Sequence, residues 1–416
     1  MDKPISRRDF VKAGSSTAAL LASTPLVYAG GQDQTISVGL IGCGGRGTGA
    51  AENCLESSQN VKLVAMGDMF KDRVDGSRKN LSKRDGYKVT DDNVFVGFDA
   101  YKKVLDSGCD MVILATPPGF RPMHFKAAVE AGKHIFFEKP VGVDPTGIRT
   151  VLEYGKKAAE KKLAVVTGTQ RRHQKNYLDT IGEIHKGAIG EITSGRCYWN
   201  GSTPWVRKRQ EGWNDMEYQL RNWYHFTWLC GDHITEQHVH NLDVMNWVLK
   251  SHPISAVAIG GKQVNTGPEY GNGWDHFGVD FTYPNDVHVL SMCRHWPNSP
   301  GNVSEAVVGT KGKSDCANNI TFFNGDKAWK APGGGINPYV QEHKDLIQSI
   351  RDGKPLNEAE QIAHSTLTSI MGREAAYTGQ VIKWDELLNS KLNLMPEKLE
   401  FGPLPEASQA IPGKKG

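Results

Sequence analysis

The residues with the clearest chemical potential lie in one segment, residues 231–247, which is rich in histidine and carboxylate side chains. On a helix, residues three and four positions apart lie on the same face. This spacing would bring His233, Glu236, His240 and Asp243 to one side of the segment. An acid next to an imidazole can move a proton to or from a substrate hydroxyl group. The segment therefore predicts a site for general acid–base catalysis.

The same segment offers ligands for a metal ion, since His233, Glu236, His238 and His240 could all coordinate one. On a helix, however, His238 and His240 project about 200° apart, so both cannot bind one ion without helix distortion. We therefore expect acid–base chemistry here and no bound metal.

A lysine follows the fifth apolar run of the chain, in the sequence Glu138-Lys139-Pro140. An ammonium group beside a developing alkoxide or carbonyl stabilises negative charge during hydride transfer and can relay a proton. Lys139 is therefore a second candidate catalytic residue.

A glycine-rich loop near the start of the chain predicts a dinucleotide site. Residues 42–47 read GCGGRG, which matches G-x-G-x-x-G, and they lie between a β-prone run and a helical pattern. Glycines at these positions permit a tight turn and close approach to a pyrophosphate, which the helix N-terminus then faces. The candidate cofactor-binding residues of this loop are Gly42, Gly44, Gly45, Arg46 and Gly47.

Asp68 follows the second predicted strand, where a carboxylate can accept both ribose hydroxyls of the adenosine. This position favours NAD over NADP as cofactor. Lys71 and Arg73 could receive a 2′-phosphate, but solvated helix positions are the simpler interpretation.

The elements that must position these residues alternate between strand and helix over residues 35–170, which predicts an α/β, Rossmann-type parallel sheet. Ligands bind beyond the carboxyl ends of such strands. The candidate cofactor site accordingly extends to Thr116, Pro117, Pro118, His124, Glu138, Lys139 and Gln170.

Residues 171–396 have a different pattern, with five strand-like segments between 192 and 309. Period-two alternation in residues 287–293 predicts an α+β domain with an open, mainly antiparallel sheet. We assign this domain to substrate binding and oligomerisation, and residues 397–416 to an extended tail.

Polar and aromatic side chains of this second domain could meet a polyhydroxylated ligand, because sugars stack on aromatic rings. Aromatic residues concentrate between 199 and 228, and about half of them should simply belong to the core. The candidate substrate-binding residues are Arg171, Tyr177, Trp223, His238 and Asp243.

The first thirty residues have the order of an export signal. Arg7 and Arg8 precede Phe10 as in a twin-arginine motif, and an apolar stretch then leads to Ala29. That stretch is shorter than the ~20 residues of a membrane-spanning helix. We therefore expect a periplasmic or otherwise exported protein, and, because this route carries folded proteins, a tightly bound cofactor.

Composition excludes several classes of protein. The 416 residues carry a formal charge of +3 without a long basic run, which argues against a nucleic-acid partner. The seven cysteines are scattered, without the spacing of a disulfide framework or a zinc finger.

Several of these motifs resemble one oxidoreductase family, named for glucose-fructose oxidoreductase, inositol dehydrogenase and the rhizopine-catabolism protein (Gfo/Idh/MocA). Its most specific signature is the Glu-Lys-Pro sequence present at residues 138–140, and the Thr-Pro-Pro turn at 116–118 is similar to its nucleotide-binding half. The resemblance implies that Lys139 points toward the nicotinamide and the substrate hydroxyl. It also implies that Pro140 holds a constrained turn, often cis.

The family's second signature is an acid, a histidine four positions later and an aspartate three positions further on, which Glu236, His240 and Asp243 match. Glu236 stands where aspartate is usual, and His238 where glycine is common. By this resemblance His240 is the general base, Glu236 orients it or binds a neighbouring hydroxyl, and Lys139 completes the relay. The family's open sheet often forms an oligomer interface, which implies a homo-oligomer.

These observations predict an exported NAD-dependent oxidoreductase that acts on a secondary hydroxyl of a sugar, a sugar derivative or a cyclitol. The alternative is a redox-neutral NAD-dependent glycosidase similar to glycoside hydrolase family 109. A sugar-binding protein with a vestigial cofactor site is a third possibility.

Overall fold

The computed structural model describes Gly31 and residues 34–413, so the predicted export signal lies outside the described residues. The N-terminal domain is built on six parallel strands in the order β3-β2-β1-β4-β5-β6, which confirms the predicted Rossmann-type sheet. The strands are β1 (Ile36–Ile41), β2 (Val61–Asp68), β3 (Val94–Val96), β4 (Met111–Leu114), β5 (His134–Phe137) and β6 (Val165–Thr167).

Helices cover both faces of this sheet, which explains why β4 is an uninterrupted apolar run with every residue buried. Asp144 caps the helix that follows β5, since its Oδ1 accepts a hydrogen bond from Gly147 N at 2.7 Å. The helices of this half of the chain are α1 (Gly45–Ser57), α2 (Lys71–Leu81), α3 (Ala100–Leu105), α4 (Arg121–Glu130) and α5 (Pro145–Glu160).

The second domain contains a nine-stranded sheet in the order β14-β13-β12-β11-β7-β10-β9-β8-β15. Only β7 and β10 pair in parallel within this described sheet, so it is mainly antiparallel, as predicted. Its strands are β7 (Ile192–Gly201), β8 (Ser255–Gly261), β9 (His276–Tyr283), β10 (Val287–His295), β11 (Asn302–Gly309), β12 (Gly312–Ser314), β13 (Asn319–Phe322), β14 (Trp329–Lys330) and β15 (Ile382–Lys383).

Helices lie against one face of this sheet and leave the other face open. Phe281 and Val279 are buried under the covering helices, and Gly372 permits a close approach, since a Cβ there would lie 2.9 Å from the Phe281 ring. On the other face Ile259 is 80% exposed. The remaining helices are α6 (Lys175–His185), α7 (Asp215–Arg221), α8 (Thr227–Cys230), α9 (His233–Glu236), α10 (Val239–Leu249), α11 (Pro338–Arg351), α12 (Ala359–Thr378) and α13 (Trp384–Leu388).

One feature differs from the sequence-based expectations. The histidine-rich segment forms two helices, α9 and α10, which are separated at Gln237 and His238, rather than one. Helix α11 packs its Leu346, Ile347 and Ile350 into the core of the N-terminal sheet, so the chain returns to the first domain after the second sheet. Among the described residues, no helix is long and apolar enough to cross a bilayer.

Candidate active site

A cleft of about 880 Å³ lies between the carboxyl ends of the parallel strands and the second domain. Most of the predicted cofactor and catalytic residues line it, although they come from many separate parts of the chain. These are Gly42, Gly44, Gly45, Arg46, Gly47, Asp68, Thr116, Pro117, His124, Glu138, Lys139, Gln170, Glu236 and His240.

The glycine loop forms one wall of the cleft, where β1 turns into α1. Gly42 has a φ of +100°, and a Cβ at Gly47 would lie 1.8 Å from the Gly42 carbonyl oxygen, so both positions require glycine. A Cβ at Gly44 or Gly45 would meet no atom within 4 Å. The backbone at these two residues is therefore open to the cleft, as the approach of a pyrophosphate to a helix N-terminus requires.

Asp68 is fixed at the carboxyl end of β2 beside this loop. Its Oδ2 accepts a hydrogen bond from Cys43 N at 2.6 Å, and its Oδ1 accepts one from Phe70 N at 2.9 Å. Burial raises the pKa of Asp68, whereas these two bonds and the Arg73 charge lower it. The carboxylate is thus held where the adenosine ribose binds in such domains, and together with the open glycine loop the residues fit NAD.

Two basic residues after Asp68 have different surroundings. Lys71 pairs with Asp75 at 2.6 Å on the surface, as expected for a solvated helix position. Arg73, in contrast, lines the cleft.

The loop after β4 is fixed by its own helix. His124 Nδ1 lies 3.0 Å from Thr116 Oγ1, and burial lowers the pKa of this histidine to about 3. Arg121, which the sequence analysis missed, is buried and donates to Thr116 O at 2.8 Å and to Pro140 O at 2.7 Å. It therefore joins the loops after β4 and β5. Pro118 begins a buried turn beneath the cleft and does not line it.

Lys139 and Glu236 meet across the two domains. Lys139 Nζ donates to the Glu236 carbonyl oxygen and lies 3.2 Å from Glu236 Oε1. Both side chains are largely buried, and Glu236 Oε2 has no hydrogen-bond partner among the described residues. Burial raises the pKa of Glu236, against the opposing effect of Lys139 and Arg121. The Lys139-Pro140 peptide bond is cis.

His240 lies on the same side of the cleft, at the start of α10, with its ring stacked on Trp199 at 5.7 Å between centroids. Burial lowers the pKa of His240 well below its ordinary value, and the nearby charges of Lys139 and Arg171 act in the same direction. The imidazole is therefore neutral at neutral pH, which is the form that can accept a proton.

Arg46 and Glu138 connect the glycine loop to Lys139. The Arg46 guanidinium donates to Glu138 and, at 3.2 Å, to Glu342 Oε1 of α11. It also lies 5.0 Å from the centroid of the Tyr339 ring, whose hydroxyl accepts a hydrogen bond from Gln170 Nε2 at 3.1 Å. Nothing in the local sequence signalled the contribution of α11, because Glu342 lies 296 residues after Arg46.

Four of the five predicted substrate residues lie outside the cleft. Arg171 and Tyr177 both bind the buried Glu305, with the Tyr177 hydroxyl 3.0 Å from Glu305 Oε2. His238 is fully buried and contacts Ser291 Oγ at 2.7 Å. Asp243 accepts two hydrogen bonds from Arg172, at 2.8 and 2.9 Å.

The interruption between α9 and α10 explains the position of His238. It turns His238 under the second sheet and leaves only Glu236 and His240 of the histidine-rich segment's four face-sharing residues in the cleft. His233 instead packs against His295, with 3.8 Å between the centroids of the tilted rings, beside a separate cavity of about 20 Å³. The prediction of a single helical face was therefore wrong. In the part of the chain that the structure describes, no group of three or more His, Cys, Asp or Glu side chains could hold a metal ion.

Aromatic rings line the second-domain side of the cleft. Trp205, Trp223 and Tyr224 lie there with Arg207, and the Trp205 and Trp223 rings meet edge to face at 5.9 Å. Trp228 belongs to a buried cluster instead. The cleft thus has one wall suited to the apolar face of a sugar or cyclitol ring.

Comparison with known proteins agrees with this architecture. Residues 36–167 match the family model GFO_IDH_MocA, described as an oxidoreductase family with an NAD-binding Rossmann fold. The chain is 26% identical to inositol 2-dehydrogenase of Azotobacter vinelandii, in an alignment that covers 54% of this chain and 57% of that protein. It is 30% identical to scyllo-inositol 2-dehydrogenase (NAD(+)) of Bacillus subtilis, in an alignment that covers 41% of this chain and 45% of that protein. The matched segments thus span about half the length of these relatives.

The fold extends beyond the matched sequence. The crystal structure of scyllo-inositol dehydrogenase from Lactobacillus casei with bound NAD(H) and scyllo-inositol superposes with a TM-score of 0.65. The superposition covers 85% of this chain and all of that one, at 19% identity. Both domains therefore share the architecture of that protein.

Proposed function

We propose that the chain is an NAD-dependent oxidoreductase. The proposal starts from its N-terminal domain, which matches the NAD-binding Rossmann domain of this oxidoreductase family. The chain oxidises a secondary hydroxyl of a sugar, a sugar derivative or a cyclitol. One observation carries the proposal: Lys139, Glu236 and His240 lie together in the cleft that the glycine loop and Asp68 also line.

The chain's own residues account for the proton chemistry. When bound against the glycine loop and Asp68, NAD supplies the hydride acceptor. His240, neutral at neutral pH, takes the proton of the substrate hydroxyl. The Lys139 ammonium stabilises the negative charge that develops on that oxygen, and Glu236 holds Lys139 in place through its carbonyl and carboxylate oxygens.

The substrate class follows from the aromatic wall and from the relatives. Trp199, Trp223 and Tyr224 offer rings to a sugar or cyclitol, and Lys139 and His240 line the same cleft. The compared proteins carry the names of inositol dehydrogenases. None of them is a glycosidase, so the redox-neutral alternative is not favoured.

The test begins with protein purified without added cofactor. After denaturation, we expect about one nicotinamide nucleotide per chain, because an exported enzyme must retain its cofactor. Turnover is then measured on a panel of inositols and aldoses. Lys139→Ala and His240→Ala should each reduce kcat by about 10²–10⁴-fold, the usual contribution of a general acid–base group.

A matched control is available on the surface. Lys157→Ala, which removes an exposed lysine paired with Glu153, should leave kcat unchanged. Full turnover by the Lys139 and His240 variants on an identified substrate would remove the proposed roles.

The predicted export remains part of the proposal. A reporter fused behind residues 1–35 should reach the periplasm and stay in the cytoplasm when both Arg7 and Arg8 are replaced by lysine. Export of both reporters alike would contradict the twin-arginine prediction.

A further inference from the structure

A strap, defined as residues 394–404, crosses one end of the cleft from the first domain to the second. It starts at the cap of α5, where Leu394 N donates to Asp144 Oδ2 at 2.9 Å. Met395 then packs beside Gly119, where a Cβ would lie 3.3 Å from the Met395 sulfur. The strap therefore begins on the loop region that follows β4.

The far end of the strap is tied to α7. Leu404 N donates to Asp215 Oδ2 at 3.1 Å, and Gln219 Nε2 donates to Leu404 O at 2.8 Å. Gly402 N donates to Asn214 Oδ1 at 3.2 Å, while its carbonyl oxygen accepts from Met216 N at the same distance. These polar contacts fix the end of the strap to the second domain.

The middle of the strap covers the adenosine end of the cleft. Leu399 is itself a lining residue. The Phe401 ring lies 5.3 Å from that of Phe98 and 6.3 Å from that of Phe70, and both of these line the cleft beside Asp68. The strap thus lies over the end of the cleft where Asp68 would bind the adenosine ribose.

A residue of α7 also contacts the loop after β2. The Arg221 guanidinium lies 3.9 Å from the centroid of the Phe70 ring and 3.2 Å from Asp72 Oδ1. Phe70 therefore contacts both an arginine and a phenylalanine from outside the N-terminal sheet.

We propose that the strap is part of the dinucleotide site and limits the rate at which the dinucleotide leaves. The inference rests on the proposed function, because it takes NAD(H) as the occupant of this end of the cleft. The strap forms no helix or strand and belongs to neither sheet, and Phe401 is 47% exposed. Its contacts are hydrogen bonds and the packing of Leu394, Met395, Leu399 and Leu404 against a cluster at the surface of the cleft, so it can detach without unfolding either domain. Attached, it covers the adenosine end of the cleft, and release of the nucleotide requires detachment.

The test measures the dissociation of NADH directly, without substrate. Protein loaded with NADH is mixed with excess NAD, and the decay of NADH fluorescence gives the dissociation rate. Phe401→Ala combined with Leu399→Ala should raise this rate at least tenfold, and deletion of residues 397–416 should do the same. Phe323→Ala is the matched control, because this exposed phenylalanine does not line the cleft.

The outcomes separate this inference from the proposed function. Wild-type dissociation rates in both strap variants overturn the strap's role but leave an NAD-dependent enzyme in place. Failure of the wild-type protein to bind NADH would overturn both. If the deletion lowers the melting temperature, the double substitution decides whether the strap limits NADH release. It changes only Leu399, which lines the cleft, and Phe401, which is half exposed.

Discussion

At the scale of single residues, the cleft contains charged groups whose positions are set by hydrogen-bond partners within the protein. The Glu236 carboxylate accepts a hydrogen bond from Lys139, and the Asp68 carboxylate accepts hydrogen bonds from two backbone N–H groups. Each carboxylate is therefore oriented before any ligand arrives. Such preorganisation lowers the cost of binding and of charge development.

Asp68 should determine the choice between NAD and NADP. In Asp68→Ala the acceptor for the ribose hydroxyls and the negative charge that repels a 2′-phosphate are both lost, while Arg73 remains in the cleft. We expect the ratio of NADH to NADPH affinity to fall at least tenfold, as measured by fluorescence titration. The ratio is informative because general loosening of the loop weakens both nucleotides alike. An unchanged ratio would contradict this role.

At the scale of elements, the turn between β1 and α1 depends on glycine for two different reasons. Gly47 packs against backbone, whereas Gly44 faces open space. The same G-x-G-x-x-G motif thus combines a packing requirement with a binding requirement.

Alanine substitutions should separate these two requirements. Gly47→Ala places a Cβ 1.8 Å from a backbone oxygen and should destabilise the fold by about 1–3 kcal/mol, the usual cost of overpacking. Gly44→Ala should keep the wild-type melting temperature but weaken NADH binding, because its methyl group projects into the cleft. Thermal melts and NADH titration of both variants check this. Equal melting temperatures would show that the turn relaxes around the added carbon.

The crossover between the domains is stabilised by a buried histidine. His173 Nδ1 lies 2.7 Å from Asp345 Oδ2, and its Nε2 lies 3.2 Å from Glu358 Oε1. Burial alone would lower the pKa of His173, but these two carboxylates raise it to about 10. The ring is therefore protonated in the folded protein at neutral pH, and it joins α11 to the residue before α12.

This histidine should make stability depend on pH. Since the folded pKa exceeds the unfolded one, the stabilisation is complete below pH ~6.5 and is lost as the pH rises toward 10. The difference in unfolding free energy between wild type and His173→Gln should shrink by about 1.4 kcal/mol per pH unit between pH 7 and 9. Urea denaturation at several pH values measures it.

His134→Gln provides the control for that series. Burial lowers the pKa of His134 to about 4, so this ring is neutral in both states above pH 7. Its difference from wild type should stay constant over the same range. A slope equal to that of His173→Gln would show that the effect does not come from the His173 ion pairs.

At the scale of the whole molecule, the open face of the second sheet is the main apolar surface left uncovered. Register places Ile259, Gly278 and Met292 in one row across three strands, with Val257 and Leu290 in the next. Each of the four side chains is at least 41% exposed. Asp280, which pairs with His288, lies between Val257 and Leu290. Four exposed apolar side chains around one ion pair favour association between copies of the chain.

We therefore predict a homo-oligomer that this face holds together. Met292→Asp with Ile259→Asp should yield monomers at micromolar concentration, because a charge cannot be buried there without a partner. Light scattering coupled to size exclusion measures the mass. Leu178→Asp, at an exposed position on α6, should keep the wild-type mass. A monomeric wild type would contradict the prediction.

The sequence alone determined the features that depend on contiguous residues. Glycine spacing, apolar runs and the charged residues at the ends of β2 and β5 are local features, so the parallel sheet, the glycine loop and the position of Lys139 after β5 were all predictable. The alternation of β10, in which Val289 is buried and Leu290 exposed, likewise predicted an open sheet.

Only the tertiary structure decided which polar side chains face the cleft and which are paired elsewhere. His238 and Asp243 have the sequence context of site residues, yet their rings and carboxylates are satisfied by Ser291 and Arg172. Conversely, Glu342 and Phe401 reach the cofactor side from the far end of the chain. Burying a polar group requires a partner, and that partner is chosen by the packing of distant elements, which local spacing does not encode.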